Sequence, residues 1–245
     1  MRKYLTCIYA VMLTPSLFLA QGSAFGVKGG LTVANQNFND GTSYNNGLLL
    51  AYHGDVYIEN NPEDNTSVLY AQAGYHVRGH ARRFQRGVAQ SAGGTLIPVS
   101  GFTQRFTFNN AVLGVGFKRR NVLGKENAYY TLGFRGEYTV STNLSSANNS
   151  VYSLFFLTKD FVKKLNYGLS LGGGMEFPFS ELVGGFVELN VHPDISRQYF
   201  QPPISGTFID PYGGTFNGIP EQTSRNLSLE ITLGLRFLKK VIYTD

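Results

Sequence analysis

Near its end the sequence alternates strictly between apolar and polar residues. In the segment 226–237, Leu227 and Ile231 belong to an apolar series at odd positions, and Glu230 and Arg236 belong to the polar series between them. Alternation with a period of two predicts a β-strand with one apolar and one polar face. The pattern alone does not say which face points into the protein.

The same alternation recurs along the chain and predicts seven further strands. Strands in soluble proteins are usually about 5–6 residues long, whereas a tilted strand that crosses a membrane needs about 9–11. The predicted strands are long, which favours a membrane protein. They cover residues 25–37, 46–58, 67–80, 103–118, 128–140, 166–177 and 184–192.

The fourth of these strands changes phase in its middle. Phe106 and Phe108 share one parity, whereas Leu113 and Val115 share the other. One extra residue in a strand turns the following side chains to the opposite face. A β-bulge near Asn109–Asn110 would therefore reconcile the two halves.

The connections between the predicted strands alternate in length. Short segments follow the second, fourth and sixth strands, and long ones follow the third (81–102), the fifth (141–165) and the seventh (193–225). The first connection, 38–45, departs from this rule because it is not long. Eight strands joined in sequence predict an all-β, antiparallel up-and-down barrel. Short turns on one side and longer loops on the other are typical of outer-membrane barrels.

The start of the chain has the features of a secretory signal peptide. Arg2 and Lys3 give a positive start, and a mostly apolar stretch with small residues follows. The apolar run is shorter than the about 20 residues that a membrane anchor needs. We predict a signal peptide at 1–20, with cleavage after Ala24 as the alternative, and a single barrel domain at 21–245.

The composition narrows the possible functions. The chain has 15 Tyr and 19 Phe but no Trp, and charged residues make up only 15%, which suits strands and turns better than helices. The one cysteine, Cys7, would leave with the signal peptide, so disulfides cannot stabilise the mature chain. Removing Arg2 and Lys3 from 21 basic residues leaves 19 against 16 acidic ones. That small excess does not indicate a nucleic-acid partner.

The polar face of the strands is predicted to fill the barrel, with the apolar face toward lipid; the alternative is a soluble sheet whose charges meet water. An eight-stranded barrel is just wide enough inside to be filled by side chains. Because unpaired buried charges are unfavourable, we predict a network of Arg–carboxylate pairs. Its members are Lys28, Asp55, Arg78, Arg135, Glu137, Glu176, Glu188, Glu230 and Arg236. Glycines expected to make room for the long Arg and Glu chains are Gly26, Gly30, Gly74, Gly133, Gly168, Gly172, Gly174 and Gly234.

Several segments resemble the PorT-like outer-membrane β-barrel proteins of Gram-negative bacteria. They are FGVKGGLTVANQNF, YAQAGYHVRG, LNYGLSLGGGMEF and NLSLEITLGLRF. The resemblance covers nearly all of the mature chain and implies an outer-membrane barrel, and a few members of that group belong to a protein-secretion apparatus. The sequence departs from the common ending, because LKKVIYTD continues past Phe237, where many barrels stop at an aromatic residue.

Two groups of residues are candidates for catalysis or for metal binding. His192, Asp194 and Ser196 suggest a hydrolytic set, since some eight-stranded outer-membrane barrels are similar in using Ser and His to deacylate lipid A. No spacing brings the His and the Ser together, so we expect no catalytic residues. His76 and His80 lie about 13 Å apart along one strand, too far to share a metal ion. We therefore expect no metal and no cofactor.

The long loops are the candidates for binding. Arg82, Arg83 and Arg86 form a basic patch suited to lipopolysaccharide phosphates, because Arg matches phosphate geometry. The segment 202–220, rich in Pro, Gly and aromatic residues, is the best candidate recognition surface. We expect a monomeric, non-enzymatic barrel of the cell outer membrane that contacts lipid, lipopolysaccharide and a protein partner of the envelope. The alternatives are a small passive porin, an accessory of secretion and a lipid A hydrolase.

Overall fold

Eight long strands make up most of the structure, which is a computed structural model that describes residues 23–38, 46–60, 66–84, 87–90, 96–123, 126–145, 157–209 and 215–239. The predicted signal peptide lies outside the described residues. The strands are β1 (Ser23–Phe38), β2 (Leu49–Asn60), β3 (Ser67–Phe84), β4 (Phe102–Leu123), β5 (Glu126–Thr142), β6 (Leu165–Pro178), β7 (Val183–Pro193) and β8 (Gln222–Lys239). Short strands lie at Asn46–Gly47, Gly87–Gln90, Leu96–Val99, Tyr199–Gln201, Phe208–Ile209 and Thr215–Phe216, and a 3-10 turn at Lys159–Phe161. Within these ranges no helix is long and apolar enough to cross a membrane.

The eight strands form a closed antiparallel barrel. Each strand pairs with its neighbours in the chain, and β1 pairs with β8 to complete the ring. The closing register runs from Ser23 opposite Lys239 to Phe38 opposite Ser224. A closed sheet pairs its backbone groups internally, as a hydrocarbon environment requires. The predicted eight-stranded up-and-down barrel is confirmed.

The last strand continues past the expected end. Phe237 pairs with Phe25 of β1, their ring centroids are 5.5 Å apart, and pairing extends to Lys239. The end of the barrel at which β1 begins and β8 ends is called the terminal end. Short connections join β2 to β3, β4 to β5 and β6 to β7 at this end. The longer connections lie at the opposite end, which we call the loop end.

The apolar face of the strands lies outside. In β8, Leu227 and Ile231 are 51% exposed and Leu233 is 63% exposed, whereas Glu230 and Thr232 between them are 1% exposed. Polar residues inside and rows of large apolar residues outside reverse the arrangement of a water-soluble protein. The exterior therefore matches lipid.

The predicted irregularity at Asn109–Asn110 is in the right place but has a different cause. The pairing of β4 with β5 shifts there, because Asn109 lies opposite Ser141 whereas Asn110 lies opposite Thr139. The extra residue is thus Val140 of β5 and not a residue of β4. The bulge turns the end of β5, while β4 itself keeps its phase.

Phe106 and Phe108 accordingly face the interior, and their predicted change of face was wrong. Both are buried in a small cluster with Leu144 at the loop end. Asn110 and Lys118, which share their parity, are buried as well. The inward face of β4 is apolar at the loop end and polar further along. In the sequence, this difference resembles a change of face.

The inner-face glycines make room mainly for aromatic rings, and less for the Arg and Glu chains expected. A Cβ at Gly174 would lie 2.7 Å from the Tyr129 hydroxyl oxygen, and one at Gly168 would lie 3.1 Å from a guanidinium nitrogen of Arg135. Glycines therefore admit bulky neighbours on adjacent strands. Those beside aromatic rings are Gly26, Gly116, Gly133, Gly174 and Gly234, and those beside charged groups are Gly74 and Gly168.

Candidate functional site

The interior of the barrel brings together charged side chains from all eight strands. The nine residues that the sequence predicts for it all face inward, and none has a side chain more than 11% exposed. Each contacts an opposite charge or a histidine. The contacts form three groups along the barrel, from the terminal end to the loop end.

At the terminal end, three cations share two carboxylates. Lys118 Nζ lies 3.3 Å from Glu59 Oε2 and also contacts Glu176. Arg120 is 2.6 Å from Glu59 and 3.0 Å from Glu176. Arg236 Nε donates to Glu59 Oε1. We call these five residues the terminal cluster.

In the middle of the barrel, Glu188 is the shared acceptor. Lys28 Nζ donates to its Oε1 at 3.0 Å, Asn190 Nδ2 to the same oxygen at 2.6 Å, and the Tyr129 hydroxyl to its Oε2 at 3.0 Å. A cavity of about 30 Å³ lies beside these groups. A cavity needs about 10–15 Å³ of this kind of volume to hold a water molecule, so this one has room for only a few.

Nearer the loop end, histidines surround Glu230. His76 Nδ1 and His192 Nε2 each lie 2.9 Å from a different oxygen of Glu230. The other nitrogen of His76, Nε2, lies 3.0 Å from Asp55 Oδ1. Both ring nitrogens of His76 thus face carboxylates, an arrangement that only the doubly protonated ring satisfies.

Two buried guanidinium groups share Glu137 on the same level. The Nε atoms of Arg78 and Arg135 lie 3.1 Å and 2.8 Å from Glu137 Oε1. Arg135 also contacts Asp194, which accepts a hydrogen bond of 2.8 Å from Asn226 Nδ2. Glu137 and Asp194 thus balance the charge of two guanidinium groups that have almost no contact with bulk water.

Sequence reasoning missed four charged members of this interior: Glu59, Lys118, Arg120 and Asp194. Glu59 and Arg120 lay in predicted connections, because the strands were ended where the sequence turned polar. Parity was an available signal, since Glu59 continues the inward series of Asp55. Asp194, one residue beyond the end of β7, likewise continues the inward series of His192.

The hydrolytic set suggested by the sequence does not come together. His192 lies inside, with Nδ1 2.9 Å from Ser170 Oγ and Nε2 2.9 Å from Glu230. Ser196 Oγ instead donates to the backbone oxygen of Tyr167 at 3.2 Å. Ser170, His192 and Glu230 are in contact, and all three are buried inside the barrel.

His80 does not approach a metal-binding arrangement with His76. Its ring lies between Phe106 and Phe38, with centroid distances of 4.7 Å and 4.8 Å, and its Nδ1 is 2.6 Å from Gln36 Oε1. Across the described ranges, no three His, Cys, Asp or Glu side chains are grouped suitably for a metal ion.

The chain after β7 continues the barrel wall at the loop end. Tyr199–Gln201 pairs with β8, and Val162 forms an isolated bridge with Tyr199. The Tyr199 hydroxyl donates to Gln201 Oε1 at 3.0 Å, and burial raises the pKa of this tyrosine. This segment thus takes the place of β7 between the outer ends of β6 and β8.

The arginines of the predicted basic patch differ in their exposure. Arg83 is exposed, whereas Arg82 is half-buried with its guanidinium carbon 5.8 Å from the ring centroid of Phe106. Arg86 lies outside the described residues. A role of this patch in contacting lipopolysaccharide stays a prediction.

Comparisons with known proteins agree with the fold. The sequence matches the family described as "Outer membrane protein beta-barrel domain" over residues 19–193. The structure is similar to the outer membrane protein OprG from Pseudomonas aeruginosa, with a TM-score of 0.52, 11% identity, and coverage of 89% of this chain and 96% of that chain. Neisserial surface protein A (TM-score 0.44, 12% identity, 87% and 97% covered) and the outer membrane protease OmpT from Escherichia coli (0.41, 10%, 89% and 97%) are also similar. No curated protein matches the sequence.

Proposed function

The chain belongs to the outer membrane protein beta-barrel domain family and lies in the cell outer membrane, and from this premise we propose that it is a closed barrel that binds a partner of the envelope through its loop end. The narrower form of the proposal is an accessory role in secretion, which the PorT-like resemblance implies. We also propose that it acts as a monomer and without enzymatic activity.

The observation that carries this proposal is the filled interior. Among the described residues, the charged groups pair across the barrel, and the cavity beside Glu188 is about 30 Å³. A passive pore needs a continuous aqueous path, and eight-stranded barrels are just wide enough for their side chains. This supports a binding role over the alternative of a porin.

The closed interior leads to a prediction about conductance. The refolded protein is expected to give no regular conductance steps in a planar lipid bilayer, because the paired side chains of the terminal cluster occupy the interior there. An open porin refolded in the same way serves as the control. Uniform steps from this protein at physiological salt would contradict the closed barrel and favour the porin.

The loop 202–220 remains the proposed recognition surface. Its described part is held at the base, where the backbone N–H groups of Ile204 and Ile219 donate to each other's carbonyl oxygens at 3.0 Å and 2.9 Å. Gly206 and Gly218 adopt φ angles of +140° and +127°, which favour glycine. A fixed base with exposed residues beyond it suits recognition.

We expect the segment 207–217 to be needed for partner binding. Wild-type protein crosslinked in outer membranes should give a discrete adduct, and a variant with 207–217 replaced by a short Gly-Ser turn should lose it. A variant with the same residues in shuffled order controls for loop length, and a change of gel mobility on heating reports the folded barrel. An unchanged adduct from the shortened variant would exclude this loop, and no wild-type adduct would count against partner binding.

The pairing of the first residues supports cleavage of the signal peptide after Ala20. Ser23 and Ala24 pair with Lys239 and Leu238 of β8. Cleavage after Ala24 would remove both from the closing seam, so we propose the earlier site and a mature domain that begins at residue 21.

A further inference from the structure

An open cleft of about 440 Å³ lies on the outer wall of the barrel at the loop end. We propose that this cleft, which we call the rim cleft, binds the phosphate groups of a lipid of the outer leaflet. The inference does not depend on whether the loop 202–220 binds a protein. Its lining includes Lys163, Tyr167, Ile195, Arg197, Phe200 and Arg225.

The rim cleft exists because β7 is shorter than its neighbours. The strand ends at Pro193, and the chain then crosses toward β6, where the backbone N–H of Ile195 donates to the Tyr167 oxygen at 3.1 Å. Further on, the backbone N–H of Lys163 donates to the Gln198 oxygen at 2.9 Å. The crossing fills the gap above β7 and leaves a hollow between the outer ends of β6 and β8.

Three cationic side chains meet at this hollow. The Lys163 ammonium and the Arg197 guanidinium lie 5.3 Å and 5.4 Å from the centre of the same ring, that of Phe200. Arg225, at the start of the outward face of β8, contributes the third. Cations held close to one another repel, and a bound anion relieves that repulsion.

The cations are only partly neutralised by the protein. Arg197 lies 3.4 Å from Glu221, and both side chains are exposed. Within the described part of the chain, no carboxylate lies within ion-pair distance of Lys163 or Arg225. An exposed ion pair contributes little, so the cleft retains an excess of positive charge. Phosphate suits such a site, because it has several acceptor oxygens and its geometry matches the Arg guanidinium.

The position of the cleft favours a lipid over free phosphate. On the outward face of β8, Arg225 is followed by Leu227, and on that of β6, Tyr167 is followed by Leu169. Both leucines are exposed. The cleft thus lies where the apolar band ends, which is the level of lipid head groups. A phosphorylated lipid would place its phosphate on the cations and its acyl chains along the band.

The test is native mass spectrometry of the full refolded barrel in detergent micelles. The probes are bisphosphorylated lipid A, the same lipid without phosphates, and inorganic phosphate. We expect lipid A to bind, removal of its phosphates to weaken binding at least about tenfold, and inorganic phosphate at millimolar concentration not to compete. Competition by inorganic phosphate, or equal binding of both lipids, would overturn the proposal.

Matched variants locate the site. Combining Lys163→Gln, Arg197→Gln and Arg225→Gln should weaken lipid A binding at least about tenfold, whereas Arg105→Gln, Arg119→Gln and Lys159→Gln, which change three exposed cations outside the rim cleft and the basic patch, should leave it unchanged. Equal losses in the two triple variants would mean general attraction and would contradict a built site.

Folding of the variants is checked separately by the shift in gel mobility on heating. If the triple variant does not fold, Arg225→Gln alone provides the test. The Arg225 side chain is exposed, so its replacement should leave the strand pairing unchanged. We expect this single variant to weaken lipid A binding measurably, and wild-type affinity in it would overturn the proposal.

Discussion

The variant Glu137→Ala is expected to lower the free energy of unfolding by about 3–5 kcal/mol, the range for breaking a buried ion pair. Glu137 Oε1 lies 3.1 Å from Arg78 Nε and 2.8 Å from Arg135 Nε, and Oε2 accepts a hydrogen bond of 2.7 Å from Asn110. Without the carboxylate, two guanidinium groups remain buried beside each other. Denaturant titration of the refolded protein in lipid vesicles measures the change.

An exposed ion pair provides the control for that experiment. Glu221 lies 3.4 Å from Arg197 at the surface, and exposed pairs contribute at most about 1 kcal/mol. Glu221→Ala should therefore have a small effect. The Arg78–Glu137–Arg135 arrangement would have no stabilising role if both alanine variants unfolded at the same denaturant concentration.

The outline of the fold was predictable because the alternation of residues is a local property. In β8, the inward Glu230 and outward Ile231 follow from period two and from the choice of lipid as the outer solvent. The choice of lipid came from strand length and from the sorting of the connections. The bulge was harder to assign, because a shift between β4 and β5 can lie in either strand, and the extra residue is Val140.

The contacts across the interior were not predictable from the sequence. Lys28 and Glu188 belong to β1 and β7, and their 3.0 Å contact depends on the register and tilt of the whole barrel. The position of His192 between Ser170 and Glu230 depends on three strands in the same way. Alternation gives the face on which a residue lies but not its partner.

The rim cleft is the clearest case of a site without a sequence signal. Lys163, Arg197 and Arg225 lie far apart in the chain and meet only because the segment after β7 crosses toward β6. The basic run at Arg82 and Arg83 is conspicuous in sequence, yet Arg82 is half-buried against a phenyl ring. The spacing of basic residues along the chain therefore does not indicate which of them lie together on the barrel wall.

The second large effect is expected at the lipid-facing middle of β8. Ile231 is exposed on the outer wall between Leu31 of β1 and Leu189 of β7, both also exposed. An arginine near the bilayer midplane destabilises a barrel by about 2–4 kcal/mol, because its charge loses hydration. Ile231→Arg should show that loss in a denaturant titration in lipid vesicles, whereas Ile231→Leu, which keeps an apolar side chain, should be nearly silent.

A second arginine variant tests the depth dependence of this effect. Leu227 faces the same way as Ile231 but lies about 13 Å nearer the loop end along the strand. The effect of Arg falls to about 0–1 kcal/mol near the membrane interface, so Leu227→Arg should be much milder than Ile231→Arg. A soluble sheet would show no such gradient, and its apolar face would be buried against protein. Equal stabilities of Ile231→Arg and Ile231→Leu would therefore contradict the assignment of this face to lipid.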